Sequence, residues 1–433
     1  MHGGIPMLKS FKITNAYSFY DECEVSMVAT GIKSHELSLI TGKSNVHVPE
    51  SMSLLPVLAI YGANASGKTN LLRALMFVFE SINKGQDAQI FGNMYKGVRP
   101  AKEDELWVAS TKVELAFLLN KNEYKLVFYY GAGGYKHETL HYRKNAKGRM
   151  LNVYNRILNT KTNKWDLTTG GTIDQELAEE IKYVHSMEHS SKNLLLHGLC
   201  KRKGVPLFYS LSNWASSFAN AESPIGNTLG TTILSASGNN PDLKIFNDGE
   251  YMQDILGFIR GMNPRINAYC FDKDMDSKEL LYTLGFTYDK PHWYANDSAF
   301  FDKHISRFES RGVYTAMTLL PSILSALKQG GLVIIDELEN SLHPILLLRV
   351  LKMFVDPDIN TGGGQLIFTT HNALIMDRRY LRQDEIGFVE QNDEGTSEFF
   401  KLSDIDGVRS DLDFCKNYIL GAFGAHPLAR GRE

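Results

Sequence analysis

The segment Gly62-Ala63-Asn64-Ala65-Ser66-Gly67-Lys68-Thr69 follows the apolar run Val57-Leu58-Ala59-Ile60-Tyr61 and precedes an amphipathic stretch over 70–81. An apolar strand, a glycine-bounded turn and a helix opening near Lys68 describe a phosphate-binding loop at the edge of a sheet. Backbone N–H groups and the positive end of the helix surround the phosphates of a nucleoside triphosphate. Lys68 adds a point charge for the β and γ phosphates, and Thr69 offers a hydroxyl to Mg²⁺. The expected nucleotide contacts are Gly62, Asn64, Ala65, Ser66, Gly67, Lys68, Thr69 and Asn70.

Two later segments supply the rest of a hydrolytic site. Leu332-Val333-Ile334-Ile335 reads as a buried strand ending in Asp336 and Glu337, the first suited to the Mg²⁺ shell and the second to polarising the attacking water. Gln365-Leu366-Ile367-Phe368-Thr369-Thr370 is a further buried strand, and it delivers His371. Consecutive strands of a parallel sheet end on one edge, where ligands bind, so His371 is expected to reach the γ-phosphate. The loop comes early and the acidic strand late. That split excludes a kinase-like or GTPase-like domain with close-set motifs.

Composition narrows the class without adding to the chemistry. The 433 residues, 43% hydrophobic and 22% charged, describe a globular protein with core for two or three domains. A formal net charge of -3 gives no global pull toward nucleic acid or anionic membrane, so such contact needs a local patch. The candidates are Lys201-Arg202-Lys203 and Arg378-Arg379 with Arg382, although runs this short are usually solvated faces. Cys23, Cys200, Cys270 and Cys415 are far apart, which excludes a C-x-x-C motif and fits a reducing cytoplasm. No apolar run approaches the ~18 residues of a membrane span, and no secretion signal is evident. The expected setting is the cytoplasm, without a membrane partner.

Along the chain, alternation over 8–13 and 23–27 predicts a hairpin, and 112–119, 123–130, 137–142 and 150–154 predict an antiparallel layer. From Ile173 the spacing becomes helical and stays so to about Thr232. A helix over 251–260 and strands over 266–271 and 280–286 follow. After Ser310, helix and strand alternate, which implies a parallel sheet with helices on its faces. The expected organisation is a split α/β nucleotide-binding domain: residues 1–154 and 266–433, interrupted by a mainly helical insertion over 155–265.

With these motifs in order, the chain resembles the ABC-type ATPases of the SMC, RecF and OLD group. The matching residues are Asn15 to Phe19, Gly62 to Thr69, Phe308-Glu309-Ser310-Arg311-Gly312, Asp336 to Pro344, and Thr369-Thr370-His371-Asn372. It is more closely similar to the stand-alone bacterial ATPases of that group often described as AAA-type, OLD-like or abortive-infection proteins, whose ending resembles 418–427 here. The resemblance implies an ABC-ATPase-like fold with a mixed sheet and an antiparallel β layer, ATP and Mg²⁺ as ligands, and hydrolysis across two subunits. Ser310 and Gly312 would then meet the γ-phosphate bound to the other copy. Their segment keeps only the serine and the second glycine of the usual L-S-G-G-Q pattern. Glu337 would be the catalytic carboxylate and His371 the switch residue. Also implied are a homo-oligomer, a separately encoded effector such as a nuclease, and a role in anti-phage defence. A RecF-like DNA-binding ATPase and a self-contained nuclease are the competing readings. No glutamine for the Mg²⁺ shell can be chosen between Gln86 and Gln89.

Two side signals are weaker. His185-Ser186-Met187-Glu188-His189 matches the H-x-x-E-H pattern of zinc peptidases, but no third ligand stands out and a solvated helix face explains it. Asp272-Lys273-Asp274 follows an apolar strand like the paired carboxylates of Mg²⁺ nucleases. An acidic loop is the simpler account.

Overall fold

The computed structural model describes residues 6–32, 37–43, 45–85, 110–131, 133–159, 161–171, 173–188, 191–202, 205–219, 232–236, 249–262, 266–273, 280–286, 292–293, 311–340, 344–409 and 412–425. In chain order these hold β1 (Met7–Thr14), β2 (Cys23–Ser26), β3 (Ile40–Thr41), β4 (Ser53–Leu54), β5 (Val57–Tyr61), α1 (Lys68–Asn83), β6 (Thr111–Leu119), β7 (Asn122–Gly131), β8 (Gly134–Arg143), β9 (Leu151–Asn159) and β10 (Lys164–Thr169). Then follow α2 (Gln175–Met187), α3 (Leu195–Cys200), α4 (Pro206–Ala219), β11 (Thr232–Ala236), α5 (Gly249–Arg260), β12 (Ile266–Lys273), β13 (Leu280–Phe286) and β14 (His292–Trp293). The last part holds α6 (Arg311–Gln329), β15 (Gly331–Asp336), α7 (Pro344–Val355), β16 (Gly364–Thr369), β17 (Ile386–Gln391), β18 (Ser397–Lys401) and α8 (Phe414–Ile419).

A mixed sheet runs β11-β15-β16-β5-β17-β18. Its centre is parallel, but β11 joins β15 antiparallel and β18 joins β17 antiparallel. The all-parallel expectation from helix–strand alternation therefore holds only for the four middle strands. β18 follows β17 through a tight turn, and a tight turn can connect only antiparallel neighbours. The expected helical stretch ends at about Thr232, where β11 begins.

The central strands are buried on both faces, which explains their unbroken apolar runs. Leu58, Ile60, Leu332, Ile334 and Ile367 face one core, while Val57, Ala59, Tyr61, Val333, Ile335, Leu366 and Phe368 face the other. The first core is closed by α1 and by an antiparallel sheet in the order β10-β9-β8-β7-β6-β1-β2. The second is closed by α6, α7 and α8. The fold is thus α/β with a mixed sheet and an antiparallel β layer.

The antiparallel layer extends further than its sequence pattern. β9 runs across the expected boundary at residue 154, and β10 pairs with it from Lys164 to Thr169. Beyond it, α2, α3 and α4 contribute Ile181, Val184, Leu195, Leu199, Phe208, Leu211 and Trp214 to the same core as α1. Glu138, fully buried on β8, accepts hydrogen bonds from the backbone N–H groups of Leu195 and Leu196 and from the Tyr154 hydroxyl. Such bonds satisfy the donors at the start of α3 and tie this helix to the sheet.

Candidate functional site

β5, β15 and β16 are neighbours in register, with Ile335 beside Phe368 and Thr369 beside Ile60. Their carboxyl ends therefore bring Gly62, Asp336 and Thr369 to one edge. Two glycines shape the loop that leaves β5. Gly67 caps α1 at φ 111°, a left-handed conformation that side chains resist. A Cβ on Gly62, at φ 150°, would lie 2.2 Å from the carbonyl oxygen of Val389 on β17. Asn64, Ala65, Ser66, Gly67, Lys68, Thr69 and Asn70 line a cleft of about 430 Å³ together with Glu337 and His371. Of the residues expected at the cradle, Gly62 does not line this cleft, and its carbonyl is instead an acceptor for Lys68.

Lys68 Nζ donates to the carbonyls of Gly62 and Ala63, both at 2.9 Å, which holds the ammonium across the loop. Burial lowers the Lys68 pKa, and the charges of Asp336, Glu337 and Glu339 oppose that shift. Thr69 Oγ1 donates to Asp336 Oδ2 at 2.8 Å. This bond turns the hydroxyl proton toward the carboxylate and leaves the hydroxyl lone pairs for a cation. The donor set fits a Mg²⁺-bound triphosphate: backbone N–H groups, one ammonium, and a hydroxyl oriented by an acidic partner.

The other oxygen of Asp336 is also occupied. Thr369 Oγ1 donates to Asp336 Oδ1 at 2.5 Å and accepts the backbone N–H of Glu337 at 2.7 Å. Glu337 sits at φ 53°, a conformation that costs a non-glycine residue about 1 kcal/mol or more and that surrounding bonds must hold. Thr369, fully buried, supplies that hold. Sequence reasoning misses its place in the site, because Thr369-Thr370 reads as an ordinary strand end.

Two serines escape it in the same way. Ser397 on β18 donates through Oγ to Ser66 O at 2.6 Å, and its Oγ lies 2.8 Å from Ser18 Oγ in the β1–β2 turn. Asn70 Nδ2 donates to the Ser18 hydroxyl at 3.2 Å. The phosphate loop is thus braced from outside by both sheets. Ser18 lies within the Asn15 to Phe19 motif, but nothing local in the sequence points to Ser397.

His371 lines the same cleft as the loop. Burial lowers its pKa, and the charge of Lys68 adds to the effect. The imidazole is therefore neutral near pH 7 and able to donate one N–H and accept at the other nitrogen.

Other expected residues fall elsewhere. Gly312 belongs to the first turn of α6, and Ser310 lies outside the described residues, as do Gln86, Gln89, His189, Lys203 and Asp274. Arg382 is no part of a basic patch: it is buried and paired to Asp384 through Nε at 2.8 Å and Nη2 at 2.9 Å. Arg379 is paired with Asp377, and Arg202 with Glu180. Among the described residues no cluster of three or more His, Cys, Asp or Glu could hold a metal ion, and no helix is long and apolar enough to cross a membrane.

Residues 57–160 and 304–377 match the family model "AAA domain, putative AbiEii toxin, Type IV TA system". With the geometry above, this match is consistent with an AAA-type ATP-binding site over those two segments. The fold is also similar to the SMC head domain from Thermotoga maritima, at 14% identity and TM-score 0.37, covering 91% of this chain and 98% of that one. The recombination mediator protein RecF with ATP, in the RecFOR pathway, gives 12% identity and TM-score 0.33, covering 92% and 99%. No curated protein matches the sequence.

Proposed function

We propose that this protein is a Mg²⁺-dependent ATPase that works as a molecular switch: ATP drives its assembly, and hydrolysis resets it. The observation that carries the reading is the bonded chain Thr69–Asp336–Thr369–Glu337, which joins the loop, the metal-shell carboxylate and the catalytic carboxylate in one unit. Mg²⁺, when bound, would neutralise charge developing on the phosphate oxygens. Thr69 holds a lone pair toward it, with Asp336 behind. Glu337 accepts a proton from the attacking water, whose oxygen bonds to the γ-phosphorus as the bridging oxygen leaves on ADP. Lys68 and the loop N–H groups bind the phosphates, and neutral His371 donates to the γ-phosphate.

ATP biases an assembly only through contacts that differ between its states. In this proposal Ser310 and Gly312, the latter in the first turn of α6, make those contacts across a homo-oligomer. The family description names a putative AbiEii toxin of a toxin–antitoxin system, which supports a role in abortive infection; that the protein controls a separately encoded effector is a further part of the proposal. The test is the mass in solution of the Glu337→Gln protein, with and without ATP and Mg²⁺, alongside its co-expressed genomic neighbours. Lys68→Ala should abolish ATP binding, whereas Glu337→Gln should keep binding and trap the assembled form. A mass indifferent to ATP, with no neighbour retained, would overturn the switch reading. Equal loss of binding in both variants would overturn the assigned roles.

A further inference from the structure

The switch residue His371 lies two residues beyond Thr369, the last residue of β16, where the strand ladder no longer receives its backbone N–H. Glu339 receives it instead: its Oε1 accepts the His371 N–H. Glu339 lies on the 3₁₀ turn Leu338–Asn340, which begins directly after Glu337. The rest of the switch segment is fixed from other directions. Thr370 N–H donates to Ile60 O on β5 at 3.0 Å, and the Tyr61 hydroxyl donates to Asn372 O at 3.4 Å. Asn372 caps the following turn by accepting the Leu374 N–H at 3.0 Å. Those bonds tie the segment to the phosphate-loop strand. The Glu339 bond joins it to the turn that directly follows the catalytic carboxylate.

The second oxygen of Glu339 adds an independent observation. Oε2 is buried and, among the described residues, has no hydrogen-bond partner. A carboxylate oxygen kept from water without a donor is costly, so packing alone gives no reason for an acid at this position. Its charge is felt at the site, since it opposes the downward shift at both Lys68 and His371.

We propose that Glu339 is a positioning residue for ATP hydrolysis: it clamps the His371 backbone to the turn that directly follows Glu337, so that the imidazole and the catalytic carboxylate face the γ-phosphate together. Glu339 itself touches neither nucleotide nor metal. This inference rests on the ATPase reading above and adds to it a residue outside the loop and the acidic strand.

The experiment compares steady-state ATP hydrolysis and ATP affinity of the wild-type protein with Glu339→Ala and Glu339→Gln. Misplacing a reacting group by about 1 Å costs roughly 100-fold in rate. Glu339→Ala should therefore lower kcat by about 10- to 100-fold while KM and the Kd for ATP stay within about threefold. Glu339→Gln retains an oxygen that accepts the His371 N–H and should keep at least about a third of the wild-type kcat. If the alanine variant does not fold, Glu339→Asp, whose shorter side chain draws the acceptor back from that N–H, should give the same selective loss of kcat. An unchanged kcat in the alanine or aspartate variant would overturn the proposal. So would an equal loss of kcat and ATP affinity, or a glutamine variant as impaired as alanine. Wild-type protein that binds ATP without turnover would instead sink the ATPase reading, and the inference with it.

Discussion

At the scale of single residues, the site depends on hydroxyl groups as much as on charges. Thr369 is a donor to one acidic residue and an acceptor from the next, and valine is its isostere without either function. Thr369→Val should leave ATP affinity within about threefold and lower kcat by roughly 10- to 100-fold, because Glu337 loses its hold and Asp336 loses an orienting bond. Thr369→Ser should recover most of the rate. A valine variant with wild-type turnover would remove Thr369 from the frame. The charged members are legible in the sequence because a strand–loop–helix pattern followed by an acidic strand end seldom occurs outside a nucleotide site. Thr369, Ser397 and Glu339 are not, because their roles depend on which strand lies beside which. One sequence read along its length does not contain that adjacency.

At the scale of elements, the two 3₁₀ turns at Gln383–Glu385 and Leu402–Asp404 bury an unusual set of charges. Asp384 accepts Arg382 and also the N–H and hydroxyl of Thr30, at 2.8 and 2.9 Å. Burial alone would raise its pKa, yet these bonds take it below the ordinary carboxylate range. Glu385 is pushed up to about 8, first by burial, and Lys401 is lowered to about 8 by burial as well. The signs fix a pH window. The Glu385 carboxyl keeps its proton in the fold but loses it near pH 4.5 in the unfolded chain, so stability is lost as pH rises from about 4.5 to 8. Lys401 acts above that range, between about 8 and 10.5, where its lowered pKa makes stability rise with pH. Asp384 acts below it, where stability is lost as pH falls. Thermal unfolding of wild type and Glu385→Gln between pH 5 and 8 should therefore diverge, with wild type losing up to about 1 kcal/mol per pH unit relative to the variant. Parallel curves would mean that Glu385 is ionised in the fold. Most elements are legible from periodicity, including the hairpins and the site strands. The burial of Arg382 is not, since a short basic run has the same sequence whether it faces water or a carboxylate.

At the scale of the whole molecule, the early loop and the late acidic strand are brought together by a sheet whose strands come from both ends of the sequence. The split is visible in motif order, but the means of joining the two layers is not. One such joint, besides the Ser397–Ser18 bond, is Gln365, fully buried on β16. Its Oε1 accepts the Leu8 N–H at 2.7 Å, and its Nε2 donates to Leu8 O at 3.0 Å and to Leu55 O at 3.3 Å. Leu8 lies where the register of β1 shifts against β6, so its backbone groups need a partner from outside the antiparallel sheet. A glutamine provides a donor and an acceptor together, which explains a polar residue inside an otherwise apolar strand. Gln365→Leu keeps the volume but leaves the buried backbone groups of Leu8 unpaired, at about 1–3 kcal/mol for each unsatisfied group. Urea unfolding should show a loss of roughly 2–4 kcal/mol. If the layers fold as one unit, the transition stays single with an unchanged slope, because the slope follows the surface exposed. Two separated transitions in the variant would instead mean that each sheet is stable alone and that the glutamine only aligns them. The phosphate loop would then lose its brace from Ser18 before it lost its own strand, and ATP affinity would fall at a lower urea concentration than the main unfolding step.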